Sequence, residues 1–532
     1  MQELIEALSS PEAYAHPVDE IEVRQTHISA VFLAGDFAYK VKKPVELGFL
    51  DFTTLGKREH YCREEVRLNR RLAPDVYLGI STIVDTRQGW RLRSEEEVEA
   101  DEEIVEWAVR MRRLPEGRTL ERWVEEGRLR PYHVAVVGRR IAAFHDDAES
   151  SPAIRRWGRF ETVARNAREN LEQARTRFDE ALEPALLRRL KDALERELSR
   201  LEPLITSRAE RGVPVDTHGD LRLDHVYVFG DRDPPGDIVI IDCIEFNERF
   251  RYADPVADMA FLDMDLRYHG RDDLATAFDD AYFEAAGDRE GRALLPFYSA
   301  YRAAVRAKVS GMSAEDGERS AEERAASAAA ERAHWLLALT LLEPPRRRPG
   351  LALVGGLPGT GKSTLADALG ERAGFRVLSS DRVRKELAGL DPERGAGAAF
   401  GEGLYTAEWN ERTYDELLRR AEALLLEGSR VLVDASFREE GFRAAFLELA
   451  AELRVRSLFL LLEVPPERAR ARIRSRPRGA SDADTDIYEA AAARWEPPAA
   501  ATETHTRRVD TGQSRMWSVE QSLAHLRERE LL

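Results

Sequence analysis

Cysteine is almost absent from this chain: there are two among 532 residues, Cys62 and Cys243, far apart and in no metal-like spacing. That excludes a disulfide framework and a thiolate zinc site, and it fits a reducing compartment. Long apolar runs are missing too. No stretch approaches the 18 or so residues a membrane span requires. The N-terminal MQELIEALSSPEAYAHP has no basic segment leading into an apolar one, so no secretory signal is expected and the cytoplasm is the expected location. Positive charge is in deficit, with 80 Lys and Arg against 97 Asp and Glu and a net charge of −17. Such a chain is a poor generic binder of nucleic acid or anionic membrane, although arginines clustered near the C-terminus leave room for a local basic groove. No internal repeat is present.

The remaining composition, 43% hydrophobic and 33% charged, is that of a globular protein long enough for two to four domains with cores of their own. The clearest seam is Glu343-Pro344-Pro345-Arg346-Arg347-Arg348-Pro349, where prolines stop a helix and arginines favour solvent. It divides the chain into 1–342, a linker at 343–349 and 350–532. In the first part, 27–43 reads as two strands turning at Gly35-Asp36, 57–72 as a charged amphipathic helix and 103–111 as a strand. Helices dominate from about Leu120, interrupted by a β-like patch at 213–244. A small β-rich lobe followed by a larger helical lobe is expected. In the second part, apolar strands at 351–355, 376–379, 430–433 and 457–464 alternate with helical segments. That is the pattern of an α/β three-layer domain with a parallel sheet.

Gly356-Leu357-Pro358-Gly359-Thr360-Gly361-Lys362-Ser363, with Thr364 after it, fits G-x-x-x-x-G-K-[ST] between a strand and a helix. Glycines let several backbone N–H groups face one phosphate, and the helix beginning near Lys362 adds its positive end. Lys362 is expected to reach the β/γ-phosphates of ATP, and the Ser363 hydroxyl to help hold Mg²⁺. The next strand ends at Asp381, followed by Arg384 in a D-x-x-R spacing. Ligands sit at the carboxyl ends of strands in such sheets, so Asp381 is placed to take a proton from an acceptor hydroxyl and Arg384 to position that acceptor. Asp381 also suits a helix N-cap. Asp434, closing RVLVD, suits an acid that supports Mg²⁺. Of the arginines in ERARARIRSRPRG, Arg472 and Arg476 share a helix face and are the candidates for a lid that neutralises the transferred phosphoryl group. Over about 351–512 this order of features resembles the small P-loop kinases that include gluconate kinase, chloramphenicol phosphotransferase and the kinase domain of polynucleotide kinase. None of these features names the acceptor.

A second constellation precedes it. His218-Gly219-Asp220-Leu221 and, about twenty residues on, Ile240-Ile241-Asp242-Cys243-Ile244-Glu245-Phe246 resemble the catalytic loop and strand-end acid of aminoglycoside phosphotransferases. The resemblance implies an α+β bilobal, protein-kinase-like domain. In it Asp220 orients the acceptor, Asp242 holds Mg²⁺ and His218 supports the loop. Asp254 and Asp258 brace the loop or cap a helix. Lys40 matches the lysine on the α/β-phosphates and Glu65 its ion-pair partner, with Lys42 and Glu64 as rival assignments. EIVEWAVRMRRLPEG would be the strand and hinge against the adenine. His225 stands where that family has a Mg²⁺-binding asparagine, and no Gly-rich loop covers the phosphates, so the domain is either an altered kinase or a silent binder. FLDFTTLGKREHYCREEVRLNRRLAPDVYL is typical of uncharacterised bacterial proteins that fuse this kinase-like domain to a P-loop kinase domain, a family the chain resembles over nearly its full length. The expectation is an ATP- and Mg²⁺-dependent kinase acting on a small-molecule hydroxyl. Its rivals are a nucleotide-gated regulatory or scaffold protein, a polynucleotide 5′-hydroxyl kinase and a toxin-like nucleotide-sugar kinase. Oligomeric state is open.

Overall fold

The computed structural model describes residues 1–87, 89–99, 102–177, 184–230, 232, 234, 236–317, 319–391, 406–475 and 485–532. They pack as two units, Met1–Ala164 with Leu201–Tyr298, and Arg165–Arg200 with Ser299–Leu532. The division does not coincide with the seam at 343–349. That seam is only partly solvated. Arg346 and Arg347 are exposed, but the Glu343 carboxylate is fully buried, 3.6 Å from Arg189, 3.4 Å from Arg196 and 3.3 Å from Arg347.

In the first unit β1 (Ile21–Gln25), β2 (Ser29–Ala34), β3 (Phe37–Lys42), β4 (Tyr77–Thr86), β5 (Gly89–Arg93) and β6 (Glu103–Arg112) form one antiparallel sheet in the order β1-β2-β3-β6-β4-β5. β2 and β3 turn at Gly35-Asp36, where Gly35 takes a positive φ of 59°. The helix Leu55–Asn69 starts at Thr54, whose side chain accepts the Lys57 N–H. Its inner face buries Cys62, Val66 and Leu68 and, against the apolar pattern, Glu65 and Asn69. A buried carboxylate persists only with partners, and Glu65 has two, Lys40 and Lys42. Among its other described residues helices dominate, with two short ribbons: β7 (Val215–Asp216) pairs with β10 (Tyr252–Ala253), and β8 (Val226–Val228) with β9 (Ile238–Ile240). These ribbons fix the ends of the 218–225 loop and of the 241–246 segment.

In the second unit β11 (Gly350–Gly355), β12 (Arg376–Ser379), β13 (Arg430–Asp434), β14 (Arg456–Glu463) and β15 (Thr506–Asp510) form a parallel sheet in the order β12-β13-β11-β14-β15. Every residue of β11 and β13 is buried. Strands covered on both faces read as unbroken apolar runs, which is why these two were legible. β15 was not anticipated. It is an edge strand, TRRVD, whose buried Thr506 and Val509 sit among exposed and half-exposed polar residues. Val354, Leu365, Leu369, Leu432, Leu460 and Leu523 belong to one core cluster. Because all five strands run the same way, Gly355, Ser379, Asp434, Glu463 and Asp510 end at one edge. β11 lies between β13 and β14 there, the position at which such sheets open a ligand crevice. Among the described residues no helix is long and apolar enough to cross a membrane.

Candidate functional site

β11 runs into the loop Gly356–Gly361 and then the helix Lys362–Ala373. Gly361 caps that helix at φ 97°, a conformation costly for any residue with a Cβ. At Gly359 (φ 79°) the constraint is also spatial: a Cβ would lie 2.7 Å from the Ala469 carbonyl oxygen, so the helix Pro466–Ser475 rests directly on the loop. The buried Thr360 hydroxyl donates to the Leu357 carbonyl at 2.8 Å, and Leu357 itself packs against the Ala469, Ile473 and Tyr488 cluster. Lys362 is folded back. Its ammonium donates to the carbonyls of Gly356 (2.9 Å) and Leu357 (3.1 Å), neutral acceptors that a phosphate would replace.

Two carboxylates face this loop. Asp434 ends β13 and is buried; β12 pairs Ser379 with Asp434, which sets Asp381, in the first turn of the helix Ser380–Leu387, close by. Burial pushes the Asp434 carboxyl up to about 6, against the pull of the Lys362 ammonium and a hydrogen bond from Ser363, while Asp381 and Asp367 push it further up. One serine hydroxyl and one acid kept from ionising freely are hard oxygen donors that a divalent cation would relieve. Among the described residues no three His, Cys, Asp or Glu side chains gather as an all-protein cage. The Ser363 hydroxyl and the Asp434 carboxyl are hard oxygen donors of the kind that fit Mg²⁺.

Arg384 is buried one turn beyond Asp381, where its Nη2 donates to Asn410 Oδ1 at 2.8 Å. The helix Ala407–Leu426 that carries Asn410 also supplies Tyr414, whose hydroxyl accepts the Phe437 N–H at 2.9 Å and faces Ser436 Oγ at 3.3 Å. Tyr414 thus holds the chain just past Asp434. Arg472 reaches over the phosphate loop, donating to the carbonyls of Gly359 (3.4 Å) and Thr511 (2.6 Å). Arg476 lies outside the described residues. Between Arg472, the loop and Thr364 on one side and Thr511, Gln513 and Arg515 on the other is a cavity of about 340 Å³. Sequence reasoning missed Asn410, Thr511 and Gln513. The second pair had a signal, since TRRVDTGQS reads as a short strand, a Gly turn and a Ser cap.

The first unit assembles its own cluster. Lys40 Nζ lies 2.6 Å from Asp242 Oδ1 and 2.9 Å from Glu65 Oε1. Glu65 Oε2 is 2.6 Å from Lys42 Nζ, and Lys42 also pairs with Glu245. Both lysines hence share the one carboxylate. Glu64 faces outward and pairs with Arg67 at 2.7 Å. Burial favours the neutral acid, but Lys40 holds the Asp242 carboxyl well below the usual carboxylate range. Asp242 has a positive φ of 66°, and its N–H donates to the Tyr77 hydroxyl at 3.2 Å. Asp220 stands at the other side, its Oδ2 3.6 Å from His225 Nδ1, while His225 Nε2 is 3.7 Å from Asp242 Oδ2. His225 therefore spans the two acids. Asp220 and Asp242 are oxygen donors suited to a hard cation, whereas the histidine between them is not.

Behind that cluster, Asp258 accepts the N–H groups of His218 (3.0 Å) and Gly219 (2.7 Å), and His145 Nε2 lies 3.1 Å away. Asp254 caps the helix Pro255–Tyr268 by accepting the Val256 N–H at 2.9 Å and pairs with Arg208. His218 Nε2 meets the Ile241 carbonyl at 2.9 Å, and burial lowers its pKa to about 4, so it stays neutral as an anchor.

The model of the AAA domain family matches residues 351–498. Over 514 residues the chain is 35% identical to the uncharacterized protein Rv2004c of Mycobacterium tuberculosis, covering 96% of each chain, and equally to the uncharacterized protein Mb2027c of Mycobacterium bovis. Among solved structures it is similar to a gluconokinase from Sinorhizobium meliloti (20% identity, 35% of this chain and 95% of that one, TM-score 0.26). It is also similar to Kti12 of Chaetomium thermophilum in complex with ADP-AlF3 (19% identity, 34% and 98%, TM-score 0.26). The C-terminal region is a P-loop domain built on a five-stranded parallel sheet.

Proposed function

We propose, for a chain that belongs to one full-length family with the mycobacterial proteins Rv2004c and Mb2027c, that its P-loop domain is an ATP- and Mg²⁺-dependent kinase acting on a hydroxyl of a small molecule. The observation that carries this reading is the convergence of Lys362, Ser363, Asp434 and Asp381 at the carboxyl edge of the parallel sheet. A pure nucleotide grip needs the first three. Asp381 adds a base at the place where an acceptor would enter.

The chemistry is in-line displacement. The acceptor oxygen forms a bond to the γ-phosphorus, the bond to the β,γ-bridging oxygen breaks, ADP leaves and the acceptor proton passes to Asp381. The cation bound with the nucleotide supplies charge neutralisation. Lys362 leaves the Gly356 and Leu357 carbonyls for the phosphates. Arg384, held by Asn410, orients the acceptor, and Arg472, already seated over the loop, faces the charge that develops on the transferred group. The cavity bounded by Thr511 and Gln513 takes the nucleoside. We place this reaction in the cytoplasm, where ATP is supplied.

The same reading extends to the first unit as a second, kinase-like site. Lys40, Glu65 and Asp242, brought together from three distant segments, support nucleotide binding there, with Asp220 beside the acceptor. His225 makes its Mg²⁺ arrangement different from that of an aminoglycoside phosphotransferase.

Labelled ATP with a metabolite extract, run on the wild type, Lys362→Ala, Asp381→Asn and Asp220→Asn, tests both parts. A labelled product that disappears with Asp381→Asn while ATP binding persists supports the kinase. ATP turnover without an acceptor that ignores Asp381→Asn would instead mark a regulatory nucleotide switch.

A further inference from the structure

Under the Lys40–Glu65 pair lies a second pair that the kinase-like resemblance does not call for. Lys40 and Lys42 are two apart on β3 and so share a face. The carboxylate between them is divided: Glu65 Oε1 lies 2.9 Å from Lys40 and Oε2 2.6 Å from Lys42. Each lysine then reaches a second acid, Lys40 to Asp242 and Lys42 to Glu245. The result is a chain of five charges, Asp242–Lys40–Glu65–Lys42–Glu245, whose two ends sit three residues apart on one segment. Only one end is wet. Side-chain exposure is 42% at Asp242 and 14% at Lys40, against 0% at Glu65, 2% at Lys42 and 6% at Glu245.

A lone Lys–Glu pair buried this deeply resists rearrangement. Moving the lysine to a phosphate strands a carboxylate in the interior. Here Glu65 retains Lys42 whichever way Lys40 turns, and Lys42 is further held over the Phe52 ring, 5.0 Å from its centroid. The odd negative charge also has an outlet, because burial pushes Glu245 up so that it is the acid able to take a proton. The segment between the two end acids is fastened as well: the Cys243 N–H donates to Asn69 Oδ1 at 2.8 Å, and Asn69 Nδ2 donates to the Glu65 carbonyl at 2.9 Å.

We propose that Lys42 and Glu245 are positioning residues that keep Glu65 compensated and pin the Asp242 segment to β3, so that Lys40 is handed from Asp242 to a nucleotide phosphate. This rests on the reading of the first unit as a site for Mg²⁺-ATP. Lys40 is the phosphate-facing lysine and Lys42 never leaves the interior.

The test uses the full chain carrying Lys362→Ala, so that the P-loop contributes nothing, with two probes: Mg²⁺-ATP in a calorimetric titration, and an acyl phosphate of ATP, which acylates an amine beside the bound phosphates. In this background the acyl phosphate should label Lys40 and spare Lys42. Adding Lys42→Met with Glu245→Gln should leave a cooperative thermal transition, weaken Mg²⁺-ATP by about tenfold or more, and reduce Lys40 labelling in step. Lys42→Arg, which keeps the charge, should restore most of the affinity. Labelling at Lys42 in place of Lys40 overturns the proposal even if the double variant does not fold. So does an affinity within about twofold of the parent in a folded double variant, when Lys40→Met has abolished binding. If the Lys362→Ala protein binds no Mg²⁺-ATP at all, the reading of the first unit fails and the proposal falls with it.

Discussion

The two lysines proposed to meet phosphate, Lys362 and Lys40, wait in different company. Lys362 rests on two backbone carbonyls of its own loop, while Lys40 rests on two carboxylates, one of them fully buried. A phosphate approaching Lys362 would displace two backbone carbonyls, with Asp434 nearby as a carboxyl that burial pushes up to about 6. A phosphate approaching Lys40 competes with ionised groups whose hold strengthens as water is excluded. On the proposed reading a nucleotide meets less competition at the P-loop, whereas in the first unit a cation would have to draw Asp242 away before Lys40 is free.

The comparison breaks first at Asp381. Asp381→Asn should lower acceptor phosphorylation by on the order of 10³-fold with ATP affinity nearly unchanged, as measured by product formation and titration; an equal loss in both would reduce Asp381 to a first-turn acid that supports its helix, whose N-cap is Ser379. Lys362→Ala should cost on the order of 10²-fold in ATP turnover and remove the tight component of ATP binding, leaving only what the first unit binds. Chelation sharpens the contrast further. Removing Mg²⁺ should weaken ATP binding in the Lys362→Ala protein about tenfold more than in a Lys40→Met protein, since only the former must prise its lysine from Asp242. Equal chelation effects would erase the distinction.

The smallest effect concerns the anchor of the first unit. The folded pKa of His218, about 4, lies below the ordinary value near 6.5, so the unfolded chain binds more protons between those values. Stability is then complete above about pH 6.5 and is lost as pH falls toward 4, by about 2 kcal/mol at pH 5. His218→Asn should flatten that part of the acid unfolding curve of the transition belonging to the first unit.

What could be read from the chain tracked how local each feature is. The phosphate loop is eight consecutive residues, and its strand and helix follow from neighbouring composition. Buried central strands announce themselves as apolar runs, and β15 does not because an edge strand keeps polar residues on its open side. Asn410 and Thr511 meet Arg384 and Arg472 only through the sheet order, which no local pattern encodes. In the first unit the sequence offered a choice between Lys40 and Lys42 for one glutamate. The geometry puts both on Glu65, an outcome that a search for a single pair excludes. Glu245 went unremarked although an acid inside IIDCIEF, in a stretch otherwise made for burial, was a visible anomaly.

The anchoring of Glu343 has a practical consequence for cutting the chain. A proline-rich junction invites truncation, and a fragment begun at residue 343 would seem the obvious way to express the P-loop part alone. Such a fragment would discard Arg189, which also donates to the carbonyls of Gly428 and Arg347, and Arg196. It would also discard the helix Ala321–Leu342, uncover the Glu343 carboxylate, and strip Leu186, Arg189 and Leu339 from the Gly428 turn that leads into β13. An insoluble product from that boundary would report on the cut, and a workable fragment has to carry both the 165–200 helical segment and residues 299–342 with it.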